Sequence, residues 1–297
     1  MTTAVTITPG ALDRALASGA PPVVLDVRWQ LGDPNGREYY RVGHIPGAVF
    51  ADLDTELAAP PSPEGGRHPL PDPEALQAAA RRWGISGGRA VVVYDDNGNT
   101  AAARAWWLLR WAGVEDVTIL DGALAAWQGA GLRLEAGDPE GVQPGDITLT
   151  PGALPVLDAD EAAELARKGL LLDARAAERY RGETEPVDPR AGHIPGALSA
   201  PTGDNLTSAG AFLAPAELRA RFASLGADPA ALADPADPAD RADPAVPVGV
   251  YCGSGVTAAH QIAALAIAGI DAALFPGSWS AWSADPARPA VTGPHPG

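Results

Sequence analysis

The chain has 297 residues, 46% of them hydrophobic and 20% charged, which is room for two domains that each bury a core. A net charge of −16 repels nucleic acid and anionic membrane surfaces, and no stretch approaches the roughly 18 uninterrupted apolar residues of a membrane span. The N-terminus carries no basic leader with an apolar run, and the single cysteine, Cys252, forms no internal disulfide, so a cytoplasmic chain with no nucleic-acid or membrane partner is expected.

In chain order, PGALDRALASG (9–19) has helical spacing, and VVLDV (23–27) is a short apolar run of the kind that forms a strand buried on both faces. GHIPGA (43–48) follows, then a second such run, VVVYD (91–95), and DGALAAW (121–127). Gly, Pro and acidic residues accumulate near 134–153 and the periodicity vanishes. The expected division is a first domain over 1–136, a linker over 137–153 and a second domain over 154–290. Beyond the linker, DADEAAELARKG (158–169) has helical spacing and LLLDA (170–174) reads as a strand. An Asp-Pro-Ala tract within 227–247 has prolines that break helix and ladder alike and reads as a surface loop expansion. VGVYC (248–252) is the last strand-like run.

The two halves repeat one another. VVLDVR, GHIPGA, VVVYDDNG and DGALAAW recur in the same order as LLLDAR, GHIPGA, VGVYCGSG and PGSWSAW, each roughly 150 residues on, and preserved order with preserved spacing argues for duplication. The alternation of strands and helices predicts an α/β fold in each copy, with right-handed crossovers placing helices on both faces of a mostly parallel central sheet.

The copies differ where chemistry is expected. Cys252 ends a strand and opens CGSGVT (252–257), which runs into AAHQIAALAIAG, an apolar segment with helical spacing. Strand, glycine-bearing loop and helix N-terminus together make a nest of backbone N–H groups, and Gly253 and Gly255 let the backbone bend and approach a bound atom. A free cysteine is only a few per cent thiolate at neutral pH, and making the anion the majority form takes about 2.7 kcal/mol. A helix N-terminus supplies about 0.3–2 kcal/mol and each hydrogen bond to a charged group about 1.5–3 kcal/mol, so the loop suffices without a lysine. Cysteine phosphatases place an arginine six positions after the nucleophile; here that position is Ala258. One cysteine with no nearby cluster of histidines or carboxylates supplies no metal-ligand set. The first copy has Asp95 in place of the cysteine.

With both GHIPGA turns, the LDAR strand end, RYRG (179–182), CGSGVT and PGSWSAW, the chain resembles the tandem-domain rhodanese-type sulfurtransferases over nearly its whole length. The resemblance implies two tandem rhodanese-like domains, the second catalytic. Loop CGSGVT is similar to that of 3-mercaptopyruvate sulfurtransferases, whereas thiosulfate-preferring members place basic residues after the cysteine. The implied reaction carries a sulfane sulfur from a small donor through a persulfide on Cys252 to a thiol, thioredoxin or cyanide, with no metal or organic cofactor. Thiosulfate as donor and a non-catalytic persulfide carrier are the alternatives. Carried over by resemblance, Arg179 and Arg190 hold the donor's anionic end, with Gly253, Gly255, Val256 and Thr257 completing the binding loop. Asp33, His44 and Ser254 are the implied proton relay. GHIPGA also recurs with His193, so the reading that His44 braces a turn stays open beside the functional one. His260 is read as structural, and Trp279 and Trp282 as core.

Overall fold

The computed structural model describes residues 4–139, 141–227 and 248–297. The Asp-Pro-Ala tract lies outside these described residues.

Among the described residues, nine strands form two parallel sheets. The first contains β1 (Thr6–Ile7), β2 (Val23–Asp26), β3 (Val49–Phe50), β4 (Val91–Tyr94) and β5 (Val117–Leu120), in the order β1-β5-β4-β2-β3. The second contains β6 (Leu170–Asp173), β7 (Leu198–Ser199), β8 (Val248–Tyr251) and β9 (Ala273–Leu274), in the order β7-β6-β8-β9. Every pairing between these strands is parallel. The second order repeats the first without its outermost strand, and a single parallel bridge from Val156 to Leu274 stands where β1 meets β5 in the first sheet. Strands β2, β4 and β8 are buried at every position, because helices cover both faces and no face is left for polar side chains. This is the expected α/β duplication.

The chain divides into two compact units that are not contiguous in sequence. One comprises Met1–Pro60, Leu70–Leu154 and Leu206–Phe212; the other comprises Pro61–Pro69, Pro155–Asn205 and Leu213–Gly297. A split by sequence order alone contains no sign that the nine residues Pro61–Pro69 belong with the second unit. Each unit has its own apolar centre, around Val24, Val92, Tyr94 and Trp127 in the first and Leu171, Tyr251, Phe275 and Trp279 in the second.

The repeated motifs build the same brace twice. In the first unit Arg28 pairs with Asp26 at 2.7 Å and donates to the carbonyl of Gly43, tying the end of β2 to GHIPGA. Tyr94 donates to Asp26 at 2.6 Å and accepts from the Ile45 N–H. In the second unit Arg175 pairs with Asp173 at 2.6 Å and donates to Gly192, while Tyr251 accepts from the Ile194 N–H. Burial holds the Tyr94 and Tyr251 hydroxyls well above their ordinary pKa, with Asp26 and Asp173 adding to it, so both stay protonated donors. His44 stacks on Tyr40 and its Nδ1 donates to the Tyr40 carbonyl at 3.0 Å; His193 stacks on Tyr180 and donates to its carbonyl at 2.8 Å. A carbonyl only accepts, so the turn holds a proton on Nδ1 of each histidine, and His193 Nε2 also stands 3.1 Å from the His295 carbonyl.

Candidate functional site

The strand-loop-helix turn that ends β4 shows what this architecture does with an anion. Asp95, fully buried, accepts at one oxygen from the N–H groups of Asn97 and Asn99, and at the other from those of Ala101 and Ala102, all within 2.7–3.0 Å. Burial pushes its carboxyl up to about 6 against these four amides. A native pKa above the unfolded value means the folded state binds the proton more tightly, so the stability that Asp95 contributes is fully present below about pH 4 and is lost as pH rises through about 6. That contribution is on the order of 3 kcal/mol, read as the difference between the native protein and Asp95→Asn in how the urea midpoint changes from pH 4 to pH 7. Asp95→Asn should remove that pH dependence; a slope unchanged in the variant would assign it elsewhere.

At the matching place after β8 the loop surrounds sulfur. Cys252 is 1% exposed, and the Gly255 N–H donates to its Sγ at 3.1 Å. Gly255 is at φ +83°, and a Cβ there would stand 2.5 Å from the Pro276 carbonyl oxygen, so only glycine lets this amide reach the sulfur. The helix Val256–Ala268 begins at the next residue and points its N-terminus toward the loop. The turn before Trp279 fixes the other side: Ser278 accepts from the Cys252 N–H, and the Trp279 and Ser280 N–H groups donate to the carbonyls of Cys252 and Gly253. Val256 is buried in the first helical turn and Thr257 is half-buried beside it. Neither side chain makes a hydrogen bond that bears on the sulfur.

Two guanidinium groups stand over Gly253. A Cβ at that position would lie 3.0 Å from Arg67 Nη2 and 3.3 Å from Arg179 Nη1, so glycine here leaves the space beneath both cations open. Their other terminal nitrogens are engaged: Arg67 Nη1 pairs with Asp188, and Arg179 Nη2 with Asp188 at 3.1 Å and Glu185 at 2.6 Å. Glu185 also meets Arg175 at 3.5 Å. Burial raises the Asp188 carboxyl, aided by the charge of Glu185 and opposed by both arginines. Burial acts the same way on Glu185, but the Asp188 N–H and Arg179 hold it below the ordinary range. The Nε of Arg67 and of Arg179 is buried with no hydrogen-bond partner.

Ser254, two residues after the cysteine, shares a 2.7 Å hydrogen bond with Nδ1 of His68, and each residue is 7% exposed. Arg67 and His68 thus both come from Pro61–Pro69, which is held down by the Arg67 N–H donating to Ser280 Oγ at 3.1 Å. Sequence reasoning passed over both. Their signal was an Arg-His pair in a Pro/Gly-rich stretch with no counterpart in the second copy.

Other candidates take different positions. Asp33 accepts from Asn35 and Tyr39, which hold its carboxyl below the ordinary range, and it makes no hydrogen bond to His44. His44 has the turn-brace contacts of His193, and the hydroxyl of Ser254 bonds to His68, so the three residues of the expected relay are not joined by hydrogen bonds. Arg190, expected to bind the donor, is placed at a helix end: its Nε and Nη2 donate to the carbonyls of Trp282, Ser283 and Asp285 where the helix Ser278–Ala284 ends, and its Nη1 to that of Arg288, all at 2.7–2.9 Å. His260 meets Thr202 at 2.7 Å inside the unit. Trp279 and Trp282 are core, with Arg175 4.7 Å from the Trp279 ring. Among the described residues no group of histidine, cysteine and carboxylate side chains is arranged to hold a metal ion, and no helix is long and apolar enough to cross a membrane.

A duplicated parallel α/β fold with one cysteine at the strand-to-helix turn of the second copy defines a sulfurtransferase. Residues 8–130 and 158–285 each match the Rhodanese-like domain, and the chain belongs to that family. It is 46% identical over 294 residues to a Mycobacterium tuberculosis protein named as a thiosulfate sulfurtransferase, covering 97% of each chain. It is 48% identical over 278 residues to a Pseudomonas aeruginosa protein named as a 3-mercaptopyruvate sulfurtransferase, covering 91% of this chain and 92% of that one. Among solved structures it is similar to the 3-mercaptopyruvate sulfurtransferase SseA of Escherichia coli, with TM-score 0.76, 33% identity and coverage of 94% of this chain and 100% of that one.

Proposed function

We propose that the second unit takes a sulfane sulfur from a small anionic donor, 3-mercaptopyruvate ahead of thiosulfate, holds it as a persulfide on Cys252, and passes it in the cytoplasm to a thiol, thioredoxin or cyanide. The observation that carries this reading is the pair of guanidinium edges left open over Gly253, one residue from the sulfur. An anion seated there presents its other end to Cys252. Arg67 and Arg179 hold the donor's carboxylate, while Gly253 and Gly255 keep the backbone out of its way.

In the first step the Cys252 thiolate attacks the thiol sulfur of 3-mercaptopyruvate. A sulfur–sulfur bond forms, the bond from that sulfur to carbon breaks, and its electron pair moves into the pyruvate enolate. The proton of the donor thiol passes through Ser254 and His68 to the enolate carbon, leaving pyruvate and a persulfide anion. The Gly255 N–H and the helix N-terminus stabilise the negative sulfur before and after the step. In the second step the acceptor thiolate attacks the outer sulfur and Cys252 leaves as thiolate. The hydrogen bond between Ser254 and His68 favours the keto acid as donor, because sulfite leaving from thiosulfate has no carbon to protonate.

Intact mass after brief exposure to each donor tests the reading. Gain of one sulfur atom, faster from 3-mercaptopyruvate, is expected. No gain from either donor overturns the function, and faster loading from thiosulfate overturns the donor.

A further inference from the structure

We propose that Asp188 sets the charge of the anion this site accepts, by bridging Arg67 and Arg179 from behind and so admitting a singly charged carboxylate while disfavouring a dianion. The inference rests on the functional reading above, in which the donor's anionic end lies over Gly253.

Each guanidinium is divided between two tasks. Arg67 Nη1 and Arg179 Nη2 are spent on Asp188, whose side chain is 2% exposed. Arg67 Nη2 and Arg179 Nη1 face Gly253 with no protein hydrogen-bond partner among the described residues. One carboxylate therefore holds two arginines at a fixed separation with their free edges turned the same way. Such a pair of edges suits a planar, two-oxygen group.

The charges around the clamp cancel. Arg67, Arg175 and Arg179 face Asp173, Glu185 and Asp188 in one connected set of ion pairs. With no net positive charge in the cluster, an incoming anion is held by directed N–H groups rather than by a general field. A carboxylate gains those hydrogen bonds and adds one negative charge. Thiosulfate brings two, into a partly buried place where Asp188 and Glu185 stand immediately behind the cations and solvent screens them poorly. An open depression of about 380 Å³, lined in part by Ser62, Gly66, Val187 and Pro189, reaches Arg67 and Asp188, so small ions have access to the cluster.

Asp188→Asn keeps the shape and one acceptor while removing the charge. In the full-length variant, kcat/KM for thiosulfate relative to that for 3-mercaptopyruvate is expected to rise at least about tenfold. A purely structural Asp188 would lower both donors together, so a ratio that stays level or falls overturns the assignment. Should the variant fail to fold, the unaltered protein gives a second reading through inhibition of 3-mercaptopyruvate turnover by acetate and by sulfate. Sulfate binding no more tightly than acetate is the expected result, and sulfate binding about tenfold more tightly overturns the proposal. Failure of the unaltered protein to take up sulfur from either donor would sink the functional reading instead, whatever the ratio does.

Discussion

Sulfur transfer from either donor falls by at least about 10³-fold in Cys252→Ser, with no persulfide detectable by intact mass. A serine hydroxyl is not ionised near neutral pH and cannot carry the transferred atom, so both half-reactions are lost together. The fold should survive the exchange. Cys252 is buried, the substituted oxygen is close in size, and it can still accept from the Gly255 N–H. Its urea midpoint should therefore shift by no more than about 1 kcal/mol in stability terms, which separates a chemical loss from unfolding. A variant that still loads sulfur would show that the sulfur resides elsewhere.

The second large effect belongs to His68. His68→Asn retains a polar atom near the position of Nδ1, so Ser254 keeps a hydrogen-bond partner, but the amide cannot take up and release a proton. Pyruvate release from 3-mercaptopyruvate should slow by about 10²–10⁴-fold, the ordinary range for a lost acid–base group. Loading from thiosulfate, which needs no proton at carbon, should change by only a few-fold. The pH profile supplies an independent check: a limb present in the native protein with 3-mercaptopyruvate should vanish in the variant. An equal fall with both donors would make His68 a positioning residue for the loop and remove it from the proton path.

The repeat that revealed the fold also explains which parts of the site were hard to see. LDVR and LDAR, the two GHIPGA turns and the paired tyrosines Tyr94 and Tyr251 recur because each unit needs the same brace between strand end and turn. Recurrence made the architecture legible, whereas His44 entered the candidate relay by family resemblance; its stacking on Tyr40 and its bond to the Tyr40 carbonyl repeat at His193 and Tyr180 and belong to what both units share. Cys252 stood out because Asp95 replaces it in the first copy. Arg67 and His68 also lack a counterpart, but they lie in a Pro/Gly-rich segment without periodicity, and their use depends on that segment joining the second unit. No local pattern encodes such a long-range placement. The setting of Arg190 was hidden for a related reason: three carbonyls near the end of the helix Ser278–Ala284, and that of Arg288 beyond it, come together only once the helix is placed.

The assignment of Pro61–Pro69 to the second unit limits what can be moved between proteins. A gene fragment cut at the irregular stretch between the halves would encode the cysteine, its loop and Arg179, yet would leave behind Arg67 and His68, two side chains that reach the loop. Recombination at domain borders drawn from the repeat would yield a half with a thiol and no complete recognition surface. The duplicated halves are thus not interchangeable modules, because the second unit's site draws on a segment encoded within the first half.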